Sequence, residues 1–296
     1  MNGIGIRRLG YALGAEITGV DLAKPVDPAK IDSIKCAWAK HLVLVFPEQN
    51  LSPDQLIAFS RNFGALDRND ATPRYRHPQH HEIFVVSTRP VDGQPSETRN
   101  TGRNWHSDLS TTPAPPMGSL LHCQELPDIG GDTMFANMYS AYERLSPVLR
   151  DFLDTLWAVH DLSLVTDLAK RNPRQYAEML HLNPPIAQPV VRKVAETGRK
   201  SLFVSQRVRQ FVGMTEEESQ PLLRFLCDQA TQPEFCYRHV WQKHDLVMWD
   251  NRATLHVALP DYDMNQVRHM FRTTILGEQT GRAYGEIEQI AAAAAE

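Results

Sequence analysis

The sequence predicts a mainly β fold with decorating helices, a β-barrel or a double-sheet jelly roll. Three observations predict it. Many short apolar runs are bounded by turn residues, the helical signals among them are scattered, and strand and helix do not alternate as a doubly wound sheet requires. No internal repeat at a fixed period is present, and 296 residues read most simply as a single domain, 1–296.

In chain order, Ala15–Asp21 and Leu42–Phe46 read as strands around a helical stretch from about Asp27 to His41, whose apolar residues recur at three and four. Ser52-Pro53-Asp54-Gln55 places an N-cap serine, a proline at the first helical position and a capping-box glutamine, which starts a helix running to Gly64. Glu82–Ser87 is a strand. Residues 88–104, rich in Pro, Gly, Asn, Ser and Thr without an apolar period, read as a mobile loop.

Met117–Gln124 and Thr133–Ala136 are expected as strands flanking the turn Pro127-Asp128-Ile129-Gly130-Gly131, where glycines permit positive φ. A helix should run from Ser146-Pro147 to about Leu156, and the polar stretch 165–185 reads as an irregular, mobile lid or insertion. Val190–Val194 and Ser201–Val204 form a hairpin about Glu196-Thr197-Gly198, and Thr215–Glu218 is a second capping box opening a helix to Ala230. Strands resume at Phe235–Trp241, Leu246–Trp249 and Val267–Leu276, and the Ala-rich end 291–296 reads as a frayed tail.

Composition excludes several function classes. With 42% hydrophobic and 22% charged residues the chain can bury a sizeable core, and its formal charge of −4 provides no general basic field for nucleic acid or an anionic membrane surface. No apolar run approaches a membrane span, and Arg7 and Arg8 interrupt any signal-peptide pattern. Cys36, Cys123, Cys227 and Cys236 show no CxxC spacing and read as reduced packing residues, so a cytoplasmic protein is expected.

Chemistry concentrates in Asn104-Trp105-His106-Ser107-Asp108. On an extended segment, residues two apart point to the same face, so His106 and Asp108 can clamp one metal. Twelve histidines and nineteen aspartates would give about one His-x-Asp by chance, and His80-His81-Glu82 offers a similar decoy. His256, in Trp249-Asp250-Asn251-Arg252-Ala253-Thr254-Leu255-His256, is a distant third candidate; a lone histidine is more often a packing residue. Two imidazoles and one carboxylate leave three octahedral positions open, which suits Fe(II) oxygenases, whereas a structural zinc site would close with four ligands. In Val267–Ile275 read as a strand, Arg268, Met270, Arg272 and Thr274 share a face. If that face is interior, its two guanidinium groups demand anions; if it is exterior, they are ordinary surface charges.

Trp105-His106-Ser107-Asp108, Gly130-Gly131-Asp132-Thr133, Trp249-Asp250-Asn251-Arg252 with His256, and Arg268 followed by Arg272 stand in the order found in the taurine dioxygenase family, which also holds the aryloxyalkanoate (phenoxyacetate herbicide) dioxygenases. The chain resembles that family from Leu13-Gly14-Ala15-Glu16 through Gly277. Between His256 and Arg268 it is one residue longer than the family pattern, in the Leu259-Pro260-Asp261-Tyr262 loop, and Asp67–His77 lacks the polar residues of a taurine site.

The resemblance implies a double-stranded β-helix (jelly roll) holding Fe(II) through His106, Asp108 and His256, with 2-oxoglutarate and O2 as co-substrates. It implies Thr133 and Arg268 as the binding residues for 2-oxoglutarate, and Arg272 with Leu109 as substrate-binding residues. The implied reaction hydroxylates a small anionic substrate, a sulfonate, sulfate ester or aryloxy carboxylate, and yields succinate and CO2, often with fragmentation of the product. A homodimer or homotetramer is also implied. Two readings remain beside it: a metal-dependent hydrolase using the same three ligands, and a non-catalytic barrel binding small anions through its arginines. With imidazoles near their ordinary pKa, activity would fall below about pH 6.

Overall fold

The computed structural model describes residues 3–70, 72–90, 96–100, 102–165 and 173–285. Its larger sheet has seven strands in the order β1 (Gly5–Arg8), β2 (Ala15–Thr18), β3 (Val43–Phe46), β13 (Leu246–Asp250), β5 (Gly118–Glu125), β15 (His269–Ile275) and β4 (Phe84–Ser87). Only β2 and β3 pair in parallel. A three-stranded sheet, β12 (Cys236–His239), β6 (Thr133–Asn137) and β14 (Thr254–Ala258), is the second layer. A four-stranded sheet orders β11 (Val208–Phe211), β7 (Trp157–His160), β8 (Ile186–Pro189) and β16 (Arg282–Ala283), and β9 (Val191–Lys193) with β10 (Lys200–Leu202) makes a hairpin. The double-sheet jelly roll expected from sequence is the observed architecture.

Alternation within the strands divides the core. Val43, Val45, Leu121, Cys123, Val247, Trp249 and Met270 point inward from the large sheet and meet Phe135 of the small one in a common apolar cluster. Phe135 and Trp249 join the layers, with ring centroids 5.6 Å apart. The intervening residues Leu44, Phe46, Leu120, Met248 and Ile275 point outward beneath helices α1 (Pro28–His41) and α2 (Pro53–Ser60). Helix α1 buries Ile31, Ile34, Ala37, Trp38 and His41 at the expected three and four spacing, and Asp27 caps its first turn by accepting from the Ala29 amide. A third cluster packs α3 (Met138–Glu143) and a later helix against the smaller sheets.

Both capping boxes form. Ser52 Oγ accepts from the Gln55 amide while Gln55 returns a bond to the Ser52 amide, and Thr215 and Glu218 do the same. The first helix ends at Ser60, with a tighter 3₁₀ turn carrying the chain to Phe63. The helix after Leu145 is shorter than expected, α4 at Pro147–Leu153. The irregular reading of 165–185 is corrected where the chain is described: α5 spans Pro173–Leu182. The helix opened by Thr215 is α6, Glu216–Ala230. Within 88–104 a 3₁₀ turn covers Glu97–Asn100; residues 91–95 and 101 of that loop, and the tail 291–296, lie outside the described residues. All four cysteines are free thiols, and among the described residues no helix is long and apolar enough to cross a membrane.

Candidate active site

His106 and His256 come from segments far apart in sequence that pair as a single antiparallel bridge. The His106 amide donates to the His256 carbonyl at 3.0 Å, and the His256 amide returns the bond at 2.8 Å. His256 lies on β14 opposite Phe135 of β6, so the small sheet fixes its ring beside Phe135 and Trp249. The imidazole centroids are 4.1 Å apart. Past His106 the chain does not continue extended: residues 108–110 form a turn, with Leu109 at a φ of 44°.

One ligand atom from each of His106, Asp108 and His256 lies within 4.8 Å of the others, and all three side chains are buried. Asp108 Oδ1 is 3.7 Å from His106 Nε2 and 3.9 Å from His256 Nε2. His106 Nδ1 donates to the Asn104 carbonyl at 2.7 Å, which places the proton on Nδ1 and leaves the Nε2 lone pair facing the carboxylate. This donor set fits one divalent metal ion.

Support for the carboxylate comes from the large sheet. Ser119 of β5 donates to Asp108 Oδ2 at 2.7 Å and accepts from Asn251 Nδ2 at 2.9 Å. Asn251 Oδ1 accepts from the Trp249 indole and, more weakly, from the Asp108 amide, while its carbonyl accepts from Ser107 Oγ. Arg252 ties Asp250 to Glu196 away from this network. The Trp249–Arg252 motif therefore acts through positioning. Ser119 carries no local motif; its one sequence signal is a hydroxyl within the otherwise apolar run Met117–Leu121.

Electrostatics keep the metal-binding forms present. Burial lowers the His256 pKa to about 4, with Asp108 opposing and Arg272 and Arg207 reinforcing. Burial, helped by Arg207 and His256, also holds His106 well below its ordinary value. For Asp108, burial opposes ionisation, but the Arg272 guanidinium, with the hydrogen bond from Ser119, overcomes it and holds the carboxyl well below its usual range. The imidazoles are neutral and the acid is ionised at neutral pH.

Arg272 of β15 and Arg268, just before that strand, both resolve to the interior. Phe271 and Ile275 pack outward on the helix-side core and Thr273 Oγ1 meets Ser60 Oγ of α2, so Met270, Arg272 and Thr274 point inward. Arg272 Nη1 donates to Asp108 Oδ1 at 2.8 Å, with its guanidinium 4.7 Å over the Phe84 ring. Arg268 is 6% exposed; its Nε donates to the Gly131 carbonyl at 2.9 Å, and its side chain lines a cavity with Ser87, Thr88, Ala258 and Tyr262. The same guanidinium lies 6.0 Å from the Trp241 ring, whose indole donates to Thr133 Oγ1 at 3.0 Å, which brings Thr133 and Arg268 into one neighbourhood.

Glycines make that approach possible. Gly131 has a φ of 73°, and a Cβ there would stand 3.2 Å from Arg268 Cδ; at Gly130, φ 81°, it would stand 2.2 Å from the Asp261 carbonyl oxygen. Asp261, in the Leu259–Tyr262 loop, also accepts from the Gly131 amide at 2.9 Å and so braces the double-glycine turn.

The sequence pattern of the taurine catabolism dioxygenase TauD, TfdA family matches residues 5–274. The chain belongs to this family. It is 34% identical over 286 residues to the (S)-phenoxypropionate/alpha-ketoglutarate-dioxygenase of Sphingobium herbicidovorans, covering 92% of this chain and 95% of that protein. Among TauD, TfdA folds it is similar to a taurine dioxygenase from Burkholderia xenovorans, with 33% identity, TM-score 0.79, and 93% and 90% of the two chains covered. It is also similar to AAD-2 in complex with Mn(II) and N-oxalylglycine, with 35% identity, TM-score 0.81, and 94% and 98% covered. Like the family, the chain is a 2-oxoglutarate-dependent non-haem iron dioxygenase that uses Fe(II), 2-oxoglutarate and O2 and acts on a small organic substrate.

Proposed function

We propose that His106, Asp108 and His256 hold the Fe(II), that Arg268 and Thr133 bind 2-oxoglutarate, and that Arg272 and Leu109 receive a small anionic substrate, a sulfonate, sulfate ester or aryloxy carboxylate. The observation that carries the reading is the convergence of the three buried donors within 4.8 Å, with Arg272 contacting the carboxylate. When bound, the iron supplies O2 activation coupled to oxidative decarboxylation of 2-oxoglutarate to succinate and CO2, by which the substrate is hydroxylated.

The chain's own residues supply position and charge. The Asn104 carbonyl sets the His106 tautomer, and Ser119 fixes the carboxylate's second oxygen, so the donor atoms are arranged before a ligand arrives. Arg268 is anchored through Nε to the Gly131 carbonyl, which directs a buried cation into its cavity; a carboxylate of the keto acid satisfies that charge by charge-assisted hydrogen bonds. Arg272, in contact with Asp108, offers the same chemistry to the primary substrate and determines which carbon faces the metal. Hydroxylation of a carbon beside sulfur or an ether oxygen gives a product that fragments. A cytoplasmic setting is supported by the four free thiols.

The test is a panel of alkyl sulfonates, alkyl sulfates and aryloxy acids, scored by succinate formed under air. Substrate-stimulated succinate with at least one class, abolished under nitrogen, supports the reading; product formation independent of 2-oxoglutarate and O2 overturns it.

A further inference from the structure

Arg238 ties together two segments that wall the Arg268 cavity without lining that cavity itself. It lies on β12, opposite Met134 of β6, with its side chain half exposed. Its Nε donates to Asp132 Oδ2 at 2.7 Å and its Nη2 to Asp261 Oδ2 at 2.5 Å, so one guanidinium bridges two carboxylates from separate segments. Asp132 follows the double glycine and is buried, whereas Asp261 belongs to the Leu259–Tyr262 loop, both ends of which line the cavity. The Leu259 amide donates to the Asp132 carbonyl at 2.9 Å, which joins the same two segments through the backbone.

These bonds form a chain that ends on the buried arginine. Arg238 holds Asp261 Oδ2, Asp261 Oδ1 accepts from the Gly131 amide at 2.9 Å, and the Gly131 carbonyl accepts from Arg268 Nε at 2.9 Å. Gly131 has no side chain to pack, so its backbone bonds set where its carbonyl points. An exposed ion pair alone would contribute little. Here one partner is buried: Asp132 is 3% exposed, its Oδ1 has no hydrogen-bond partner, and among the described residues Arg238 is the one cation within 4.0 Å of it.

We propose that Arg238 is a positioning residue for the keto acid, acting through Asp261 and Gly131 to aim the Arg268 guanidinium. The inference rests on the reading of Arg268 as the 2-oxoglutarate anchor and extends it to a residue on the outer surface. A second tie joins the same segments, since the Asp128 amide donates to Gln266 Oε1 at 2.7 Å and Gln266 Nε2 donates to Asp128 Oδ2 at 2.8 Å. That pair keeps the turn against the loop when Arg238 is altered, so the loss falls on the alignment of Gly131 and Arg268. The metal ligands, on other segments, are unaffected.

The experiment uses full-length protein loaded with Mn(II), so that binding is read without turnover. Two ligands are titrated by calorimetry: N-oxalylglycine, and oxalate, which can chelate the ion but has no further carboxylate for Arg268. Arg238→Gln weakens N-oxalylglycine about tenfold or more, while oxalate and Mn(II) affinities each change by less than about threefold. Arg238→Lys keeps the charge beside Asp132 but cannot bridge both acids, and falls between. Asp261→Ala leaves the Arg238–Asp132 pair in place and reproduces the selective loss; it decides the matter if Arg238→Gln does not fold. Parental N-oxalylglycine affinity in folded Arg238→Gln or in Asp261→Ala overturns the proposal, as does an equal loss of both ligands. Arg268→Ala separates the two readings. If it keeps parental N-oxalylglycine affinity, the anchor reading falls and this inference with it; if it loses that affinity while Arg238→Gln does not, this inference alone falls.

Discussion

Arg272 Nη1 and the two imidazole Nε2 atoms of the triad converge on one atom, Asp108 Oδ1, at 2.8, 3.7 and 3.9 Å. One buried oxygen thus contacts both the proposed substrate anchor and the two imidazoles of the proposed metal site. Removing the arginine leaves Asp108 buried with reduced compensation. Arg272→Gln is therefore expected to destabilise metal-free protein by about 3 kcal/mol, and saturating Mn(II) should restore most of it. Urea unfolding with and without the ion checks this; identical metal-free stability of variant and parent contradicts it.

In the proposed site Ser119 and Asn251 act on the metal through Asp108, without touching the ion. Ser119→Ala removes the donor to Asp108 Oδ2, and Asn251→Ala removes the bonds that hold Ser119 and the Trp249 indole. Each variant should bind Mn(II) about ten- to a hundredfold more weakly with little change in KM for 2-oxoglutarate. Anaerobic metal titration reads the effect, and unchanged affinity in both variants would remove the network from the account.

Gly131→Ala separates the co-substrate pocket from the metal. A Cβ at Gly131 would press on Arg268 Cδ at 3.2 Å in a left-handed backbone conformation. KM for 2-oxoglutarate should rise about tenfold or more while metal affinity stays within about twofold. Arg268→Ala should produce the same pattern more severely, and a primary loss of metal binding in either variant contradicts the assignment.

Stability should fall with acid through the buried imidazoles. In the folded protein burial takes His160 to about 3 and His256 to about 4, whereas the unfolded chain titrates near about 6.5. Between those limits the unfolded state binds more protons, so the contribution is complete above about pH 6.5 and is lost as pH falls from there towards 4. Each histidine should cost metal-free protein about 2–3 kcal/mol by pH 4.5. His160→Phe, which can keep the stack on Phe203, should remove its share of the slope in denaturant unfolding between pH 7 and 4.5. The depressed His256 pKa also moves the lower limit of metal binding below the pH 6 expected from an ordinary imidazole.

What could be read in the sequence was what local patterns carry. The two capping boxes are complete within four residues each, and both form. Alternation gives Met270, Arg272 and Thr274 a shared face, which pairing with β4 and β5 turns inward; a bulge between His269 and Met270 interrupts it before Arg268, which is buried through its own contact with Gly131. Strands β1, β7, β8, β11, β14 and β16 are not legible in the sequence, being two to five residues long without clean alternation; Thr254–Leu255–His256–Val257 is buried at every position. The triad needed the family motifs, since a lone His-x-Asp is expected by chance. Ser119 reaches the site through sheet register that no local pattern encodes.

The most direct measurement is anaerobic Fe(II) binding by the unaltered protein and by His106→Ala, Asp108→Ala and His256→Ala. One equivalent of iron in the parent, with binding lost or reduced by orders of magnitude in each variant that remains folded, is the result the account predicts. A folded triple-alanine variant that still takes up one equivalent with parental affinity would contradict it.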